Sequence, residues 1–248
     1  MFLTRIHLDA EPPDTWPFTL APVRHLRGDG LRFDRSVTFL VGENGSGKST
    51  IVEAVADLCK ISSEGGKAGT KYSSTGAPTL LGDALRADFT SAGHRLLTGP
   101  RRQRQGFFLR AETLFNLAQN VSGRFGFWEA DLTEQSHGEG FLTVLDTMFD
   151  QPGLYLMDEP EAALSFTSCL SLVGLMDRLA TAGGQIVCAT HSPLLTALPG
   201  ARILELGDHG IEPVAWDDLL LVDHWRRYLA GPEQYLRRVL GEAGPDGR

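Results

Sequence analysis

Two clusters of residues have the types and spacing of phosphate chemistry. The first runs Gly42-Glu43-Asn44-Gly45-Ser46-Gly47-Lys48-Ser49-Thr50 and fits G-x-x-x-x-G-K-[ST]. Gly42, Gly45 and Gly47 allow positive φ and a close approach of backbone to phosphate, which a Cβ would block. Amides turned toward one point, with the dipole of the helix that follows, hold a polyphosphate without desolvating many charged side chains. Lys48 reaches the β- and γ-phosphates, and the Ser49 hydroxyl is a hard-oxygen ligand for Mg²⁺. An apolar run at 37–41 and a helical pattern at 51–58 supply the strand and helix that such a loop requires. The ligand this implies is a nucleoside triphosphate.

The second cluster is Leu154-Tyr155-Leu156-Met157 followed by Asp158-Glu159. An acidic pair after four apolar residues is by itself an ordinary strand end. Downstream of a phosphate loop it becomes the other half of a phosphoryl-transfer site. Asp158, at the strand's carboxyl end, is expected to hold Mg²⁺ opposite Ser49, and Glu159 to polarise a water in line with the γ-phosphate. A third piece, Ala189-Thr190-His191-Ser192-Pro193, closes another buried strand at 185–189. A lone histidine there is commonly a packed or capping residue; its neighbours single out His191.

The elements that must position these groups follow from periodicity. Residues 2–9 alternate apolar and polar, the pattern of a half-buried strand. Pro12, Pro13, Pro17 and Pro22 punctuate a loop before the phosphate-loop strand. Phe2, Trp16, Phe18 and Phe33 could each stack on a base, with core packing the plainer use of every one. Residues 61–78, rich in Ser, Gly, Thr and Lys, have no hydrophobic period and read as a surface loop. Residues 82–110 are locally basic through Arg86, Arg95, Arg101, Arg102, Arg104 and Arg110. This is either a solvated face or a contact for phosphates or an acidic partner.

A buried strand at 105–109 enters a helix at 111–118, and Phe141, Leu142, Val144, Leu145, Met148 and Phe149 recur at helical spacing. Beyond the acidic pair come a helix at 164–179, the strand before His191, a hairpin around residues 207–210 and helical patterns at 217–229 and 232–240. The faces Leu219, Leu220, Trp225, Leu229 and Tyr235, Leu236, Val239, Leu240 are expected to pack on the domain. Strand and helix patterns in alternation predict a largely parallel sheet flanked by helices, with an antiparallel β portion at the N-terminus.

Composition sets the limits. A chain of 248 residues with 42% hydrophobic and 22% charged residues can bury a sizeable core. Its formal net charge of −8 argues against broad coating by nucleic acid. Cys59, Cys169 and Cys188 are scattered, which points to buried thiols in a reducing compartment and not to a disulfide frame or zinc site. No apolar run approaches the ~20 residues of a membrane-spanning helix, and no secretory signal is visible. A cytoplasmic protein without direct membrane insertion is expected.

Gly42 to Ser49, Ser136-His137-Gly138-Glu139, Asp158-Glu159-Pro160-Glu161-Ala162-Ala163-Leu164 and Thr190-His191-Ser192-Pro193 together resemble the ATP-binding-cassette (ABC) ATPases. Within them the chain is most similar to the soluble RecF/SMC-like branch and its small stand-alone AAA-family ATPases, because Glu139 stands where transporters usually carry glutamine. The resemblance implies an α/β P-loop NTPase fold that binds ATP with Mg²⁺ and hydrolyses it. It also implies an ATP-dependent head-to-tail homodimer, in which Ser136 and Gly138 meet the γ-phosphate held by the other subunit. Ser136-x-x-Glu139 is equally a capping box for the helix that follows. His191 resembles the switch histidine that reaches the γ-phosphate. Arg110 and Glu112 lie where the family places its Mg²⁺-sensing glutamine, and the sequence does not choose between them. Ser165 departs from an aspartate common in the family.

The expected layout is one domain over 1–248. Its parts are an N-terminal β region and P-loop (1–60), a variable insertion (61–135), the segment with signature, acidic strand end and His191 (136–206), and a helical tail (207–248). Nucleotide state would be coupled to a protein or DNA partner. The alternatives are the ATP-binding subunit of a membrane transporter and a nucleotide-gated DNA- or protein-binding module.

Overall fold

The computed structural model describes residues 1–11, 13–61, 66–67, 79–98, 105–110, 151–162 and 164–240. Among the described residues ten strands form two sheets. The larger orders β10 (Gly210–Pro213), β9 (Arg202–Gly207), β3 (Val37–Gly42), β8 (Gln185–Ala189), β7 (Leu154–Asp158), β6 (Gly106–Arg110) and β4 (Gly66–Lys67). The five strands from β9 to β6 are parallel, and the two edge strands run antiparallel to them. The smaller sheet is antiparallel, with β1 (Leu3–Leu8) between β2 (Leu31–Arg32) and β5 (Leu85–Phe89).

The central strands read as unbroken apolar runs because both faces of the large sheet are covered. Every residue of β7 and β8 is buried. Alternate residues serve opposite layers. Val37, Phe39 and Val41 of β3 face a core with Leu172, Leu175, Met176 and Leu179 of the long helix α5 (Phe166–Thr181). Leu40, Leu156, Val187 and Leu204 face Ile51, Val52 and Val55 of α2 (Lys48–Leu58), and the small sheet lies on that side. Helix α5 begins two residues later than the expected 164–179 because Ser165 caps it, accepting a bond from the Ser168 amide at 3.2 Å. The three cysteines are buried free thiols. Burial alone pushes the Cys59 thiol up to about 12, so it is chemically inert.

One buried side chain fastens the two sheets together. Gln185, at the start of β8, accepts bonds from the Phe2 and Leu3 amides at 2.7 and 2.8 Å and donates to the Leu3 carbonyl at 2.7 Å. Strand β5 lies within the stretch expected to be a basic surface or contact patch. Leu85, Ala87 and Phe89 alternate with Arg86 and Asp88, and its partner β1 lies far away in sequence. Arg86 reaches Asp9 at 3.8 Å and Asp88 meets Arg5 at 2.9 Å, so these charges serve sheet pairing. Residues 66–67, expected as part of a loop, pair with Phe107 and Phe108 at the sheet edge. Short helices α1 (Ala21–His25), α3 (Leu80–Ala84), α4 (Ser91–Thr98) and α6 (Pro193–Thr196) fill the joints.

The C-terminal helices α7 (Leu220–Ala230) and α8 (Pro232–Leu240) correct the expectation for the tail. Leu219 and Val222 are buried against the α5 layer. Leu220, Trp225 and Leu236, however, are exposed, as are Leu229 (73%), Val239 (81%) and Leu240 (76%). Helical spacing fixes which residues share a face but not whether another element covers it. Among the described residues no helix is long and apolar enough to cross a membrane.

Candidate functional site

In a parallel sheet all carboxyl ends lie on one edge, and connecting loops gather there. Register sharpens the gathering: Arg110 pairs with Asp158, Asp158 with Ala189, and Ala189 with Leu40. The ends of β6, β7, β8 and β3 therefore form one row. The phosphate loop, the acidic pair, Thr190-His191 and Arg110 all leave from it.

The loop residues divide the work. Gly47, at the N-terminus of α2, has φ +96 and a Cβ there would meet Leu20 at 3.2 Å. Gly42 is required by packing instead, since its Cβ would lie 2.4 Å from the Leu206 carbonyl on β9. Lys48 is buried and folds back over the loop, donating to the carbonyls of Gly42 and Glu43 at 2.9 Å each. Burial lowers its pKa, although Glu159, Asp158 and Glu161 pull the other way. Among the described residues the Ser46 hydroxyl is buried without a hydrogen-bond partner.

Opposite the loop, Ser49 Oγ donates to Asp158 Oδ1 at 2.8 Å. Asp158 is buried, and desolvation raises its pKa against the bond from Ser49 and the charge of Arg110. A hydroxyl and a carboxylate oxygen side by side at the sheet edge suit a hard divalent cation that keeps waters and phosphate oxygens as its other ligands. Arg110 donates to Glu53 at 2.9 Å and lies 3.9 Å from Asp158 Oδ2. Glu53 is the residue sequence reasoning missed. It sits four positions after Ser49 on α2 and so on the same helix face, which was the available signal.

Glu159 occupies the left-handed region at φ +48, unusual for a residue with a Cβ. Its amide donates to the Ala189 carbonyl at 2.9 Å, and its Oε1 lies 3.3 Å from His191 Nε2. Among the described residues His191 Nε2 is buried and makes no hydrogen bond. Glu161 is half-buried, and desolvation raises its pKa although Thr190 and His191 bond to it. A cleft of about 550 Å³ opens beside the loop, lined by Glu43 to Ser46, His191, Leu20, Pro22, Asp208, His209 and His224 among others. Phe2, Phe18 and Phe33 are core residues, while Trp16 is 65% exposed and does not line this cleft.

The structure thus brings together Gly42 to Thr50, Asp158, Glu159, His191 and Arg110. Ser136, Gly138, Glu139 and Glu112 lie outside the described residues, as do Arg101, Arg102 and Arg104 and the helices expected at 111–118 and after Gly138.

Comparison with known proteins finds AAA-type families and ABC-type relatives. The family described as "AAA domain, putative AbiEii toxin, Type IV TA system" matches residues 129–197, and a second family described as "AAA domain" matches residues 23–90. By these matches the chain is similar to P-loop ABC-like and AAA-type ATPases. It is 28% identical over 185 residues to a protein of Streptomyces coelicolor described as a putative ABC transporter ATP-binding protein, covering 68% of this chain and 31% of that one. The chain thus spans about a third of that relative's length. It is also 28% identical over 240 residues to the cytochrome c biogenesis ATP-binding export protein CcmA of Rhodospirillum rubrum, covering 86% of this chain and 98% of that one. Among solved structures it is similar to the SMC head domain from Thermotoga maritima, at 16% identity and TM-score 0.49, over 87% of this chain and 100% of that one.

Proposed function

We propose that the chain binds ATP with Mg²⁺, hydrolyses it to ADP and phosphate, and uses the bound state to close a head-to-tail homodimer. The observation that carries this reading is the 2.8 Å contact between Ser49 and Asp158, which joins the phosphate loop to the acidic strand end. The loop amides and Lys48 bind the β- and γ-phosphates. Lys48 exchanges its two carbonyl partners for phosphate oxygens, and the unpartnered Ser46 hydroxyl gains one. Ser49 and Asp158 would hold Mg²⁺, which when bound neutralises developing charge on the phosphate oxygens. Glu159 takes a proton from the attacking water, and His191, 3.3 Å away, orients that carboxylate and reaches the γ-phosphate.

Ser136 and Gly138 of the second copy complete each site, with Glu139 capping their helix. Nucleotide binding thereby becomes a conformational signal to a protein or DNA partner. Glu139 also favours the RecF/SMC-like branch, and the same reading takes the protein to be cytoplasmic. The test is size-exclusion chromatography of Glu159→Gln with saturating MgATP. A shift to dimer is expected, and a persistent monomer with ATP bound rejects the dimer mechanism.

The long match to an export ATP-binding protein favours a second reading, the energising subunit of a membrane transporter. It requires co-purification with a membrane-embedded partner, which the first reading does not.

A further inference from the structure

We propose that Glu161 is the positioning residue that couples the turn carrying Glu159 to the turn carrying His191, so that the two act as one unit. The inference rests on the hydrolytic reading for its consequence in turnover but not for its geometry.

Two turns leave adjacent parallel strands. The first, after β7, contains the left-handed Glu159, a conformation that persists only when its surroundings impose it. The second, after β8, presents Thr190, His191 and Ser192. One carboxylate oxygen joins them: Glu161 Oε1 accepts from the Thr190 hydroxyl at 2.6 Å and from the His191 amide at 2.7 Å. Thr190 Oγ1 in turn accepts from the Ser192 amide at 3.0 Å. With the Glu159 amide bonded to Ala189 and His191 Nε2 standing 3.3 Å from Glu159, the contacts close a ring: 159 to 189, 191 to 161, and 191 back to 159.

The bonds Glu161 makes are short and accepted by a charged group, the stronger kind. Thr190 is fully buried, which keeps water from its hydroxyl, and the bond from the His191 amide is part-buried. Removing the carboxylate leaves that hydroxyl and that amide without their acceptor, and the second turn must then shift to find partners. His191 moves with its own main chain, and with it the distance to Glu159. Displacement of a catalytic group by ~1 Å costs on the order of 10²-fold in rate. Among the described residues Glu161 makes no hydrogen bond to the Gly42–Ser49 loop and reaches it through its charge on Lys48 alone, so nucleotide affinity should change little. Glu161 is placed to act through His191.

The first measurement needs no nucleotide. In the full chain without ATP, Glu161→Ala and Thr190→Val are expected to shift the His191 imidazole signals in NMR. Glu161→Gln, which keeps an oxygen at the accepting position, leaves them near wild type. Unchanged His191 signals in both disrupting variants overturn the proposal, as does Glu161→Gln behaving like Glu161→Ala.

The second measurement is steady-state hydrolysis. Glu161→Ala should lower kcat by about 10–100-fold with KM within about twofold, Glu161→Gln should retain most of kcat, and Glu161→Ala should add nothing in a His191→Ala background. Additive losses in the double variant overturn the proposal. If Glu161→Ala does not fold, Thr190→Val takes its place in both measurements. A wild-type chain that binds ATP without hydrolysing it rejects the hydrolytic reading alone, and the NMR result still decides the positioning.

Discussion

The two sides of the phosphate edge are built in different ways. The loop side is local: Gly42 to Ser49 lie on one strand–turn–helix, and Lys48 is satisfied by carbonyls five and six residues away. The acidic side is assembled across the chain, with Glu161 bonded to residues 29 and 30 positions distant and Asp158 to a hydroxyl 109 positions distant. A local device can bind whenever its strand and helix form. A device made of separate turns works only while the sheet holds them in register. Binding should therefore depend on the first side and turnover on the second.

The largest effect should come from the non-local side. Glu159→Gln is expected to lower kcat by about 10²–10⁴-fold while leaving ATP affinity within a few-fold, as read by single-turnover hydrolysis and fluorescent-nucleotide binding. Weakened binding without slowed turnover would reverse the comparison. On the local side, Lys48→Ala removes charge-assisted bonds worth ~1.5–3 kcal/mol, so the Kd for ATP should rise about 10–100-fold.

The sheet that maintains the register can be loosened without touching either side. Gln185→Ala strands the Phe2 and Leu3 amides and should cost about 2–3 kcal/mol in urea unfolding. Turnover should suffer more than nucleotide affinity, because β8 carries His191.

A smaller effect separates the two sides by pH. Burial raises the Glu161 pKa above its unfolded value, so between the two values the folded state binds more protons than the unfolded. The slope of unfolding free energy with pH is then negative. The stabilisation is present below the ordinary carboxylate range near pH 4 and is lost as pH rises through the raised folded value. Urea melts across that range should show this decline in the wild type and a flatter dependence in Glu161→Gln. Least of all, Leu229→Ser and Val239→Ser should change stability by no more than about 0.5 kcal/mol, because both side chains already stand in water.

How far the sequence could be read follows the same division. Strands β1, β3, β6, β7 and β8 stand where periodicity put them, because an unbroken apolar run or an alternation is set by the faces a strand buries. The loop from Gly42 to Ser49 was equally legible, its spacing being dictated by one turn. Strand β5 was not: its alternation was present, but its charges drew attention to solvent, and its partner is the first strand of the chain. Glu161 stood in a recognisable string without a visible task, since its task is to bond a turn on another strand. The tail failed in the opposite direction, as an amphipathic face is not evidence of a cover.

The amino-acid sequence by itself determined the phosphate loop, the buried central strands and the kind of chemistry they serve, because those depend on residues within a turn or two of one another. Only the tertiary structure decided that Asp158 meets Ser49, that Glu53 holds Arg110, that Glu161 ties His191 to Glu159 and that Gln185 fastens one sheet to the other. The contacts around Asp158, Arg110 and His191 arise because parallel register gathers strand ends at one sheet edge, whereas Gln185 acts at the start of β8, where it meets the first strand of the chain.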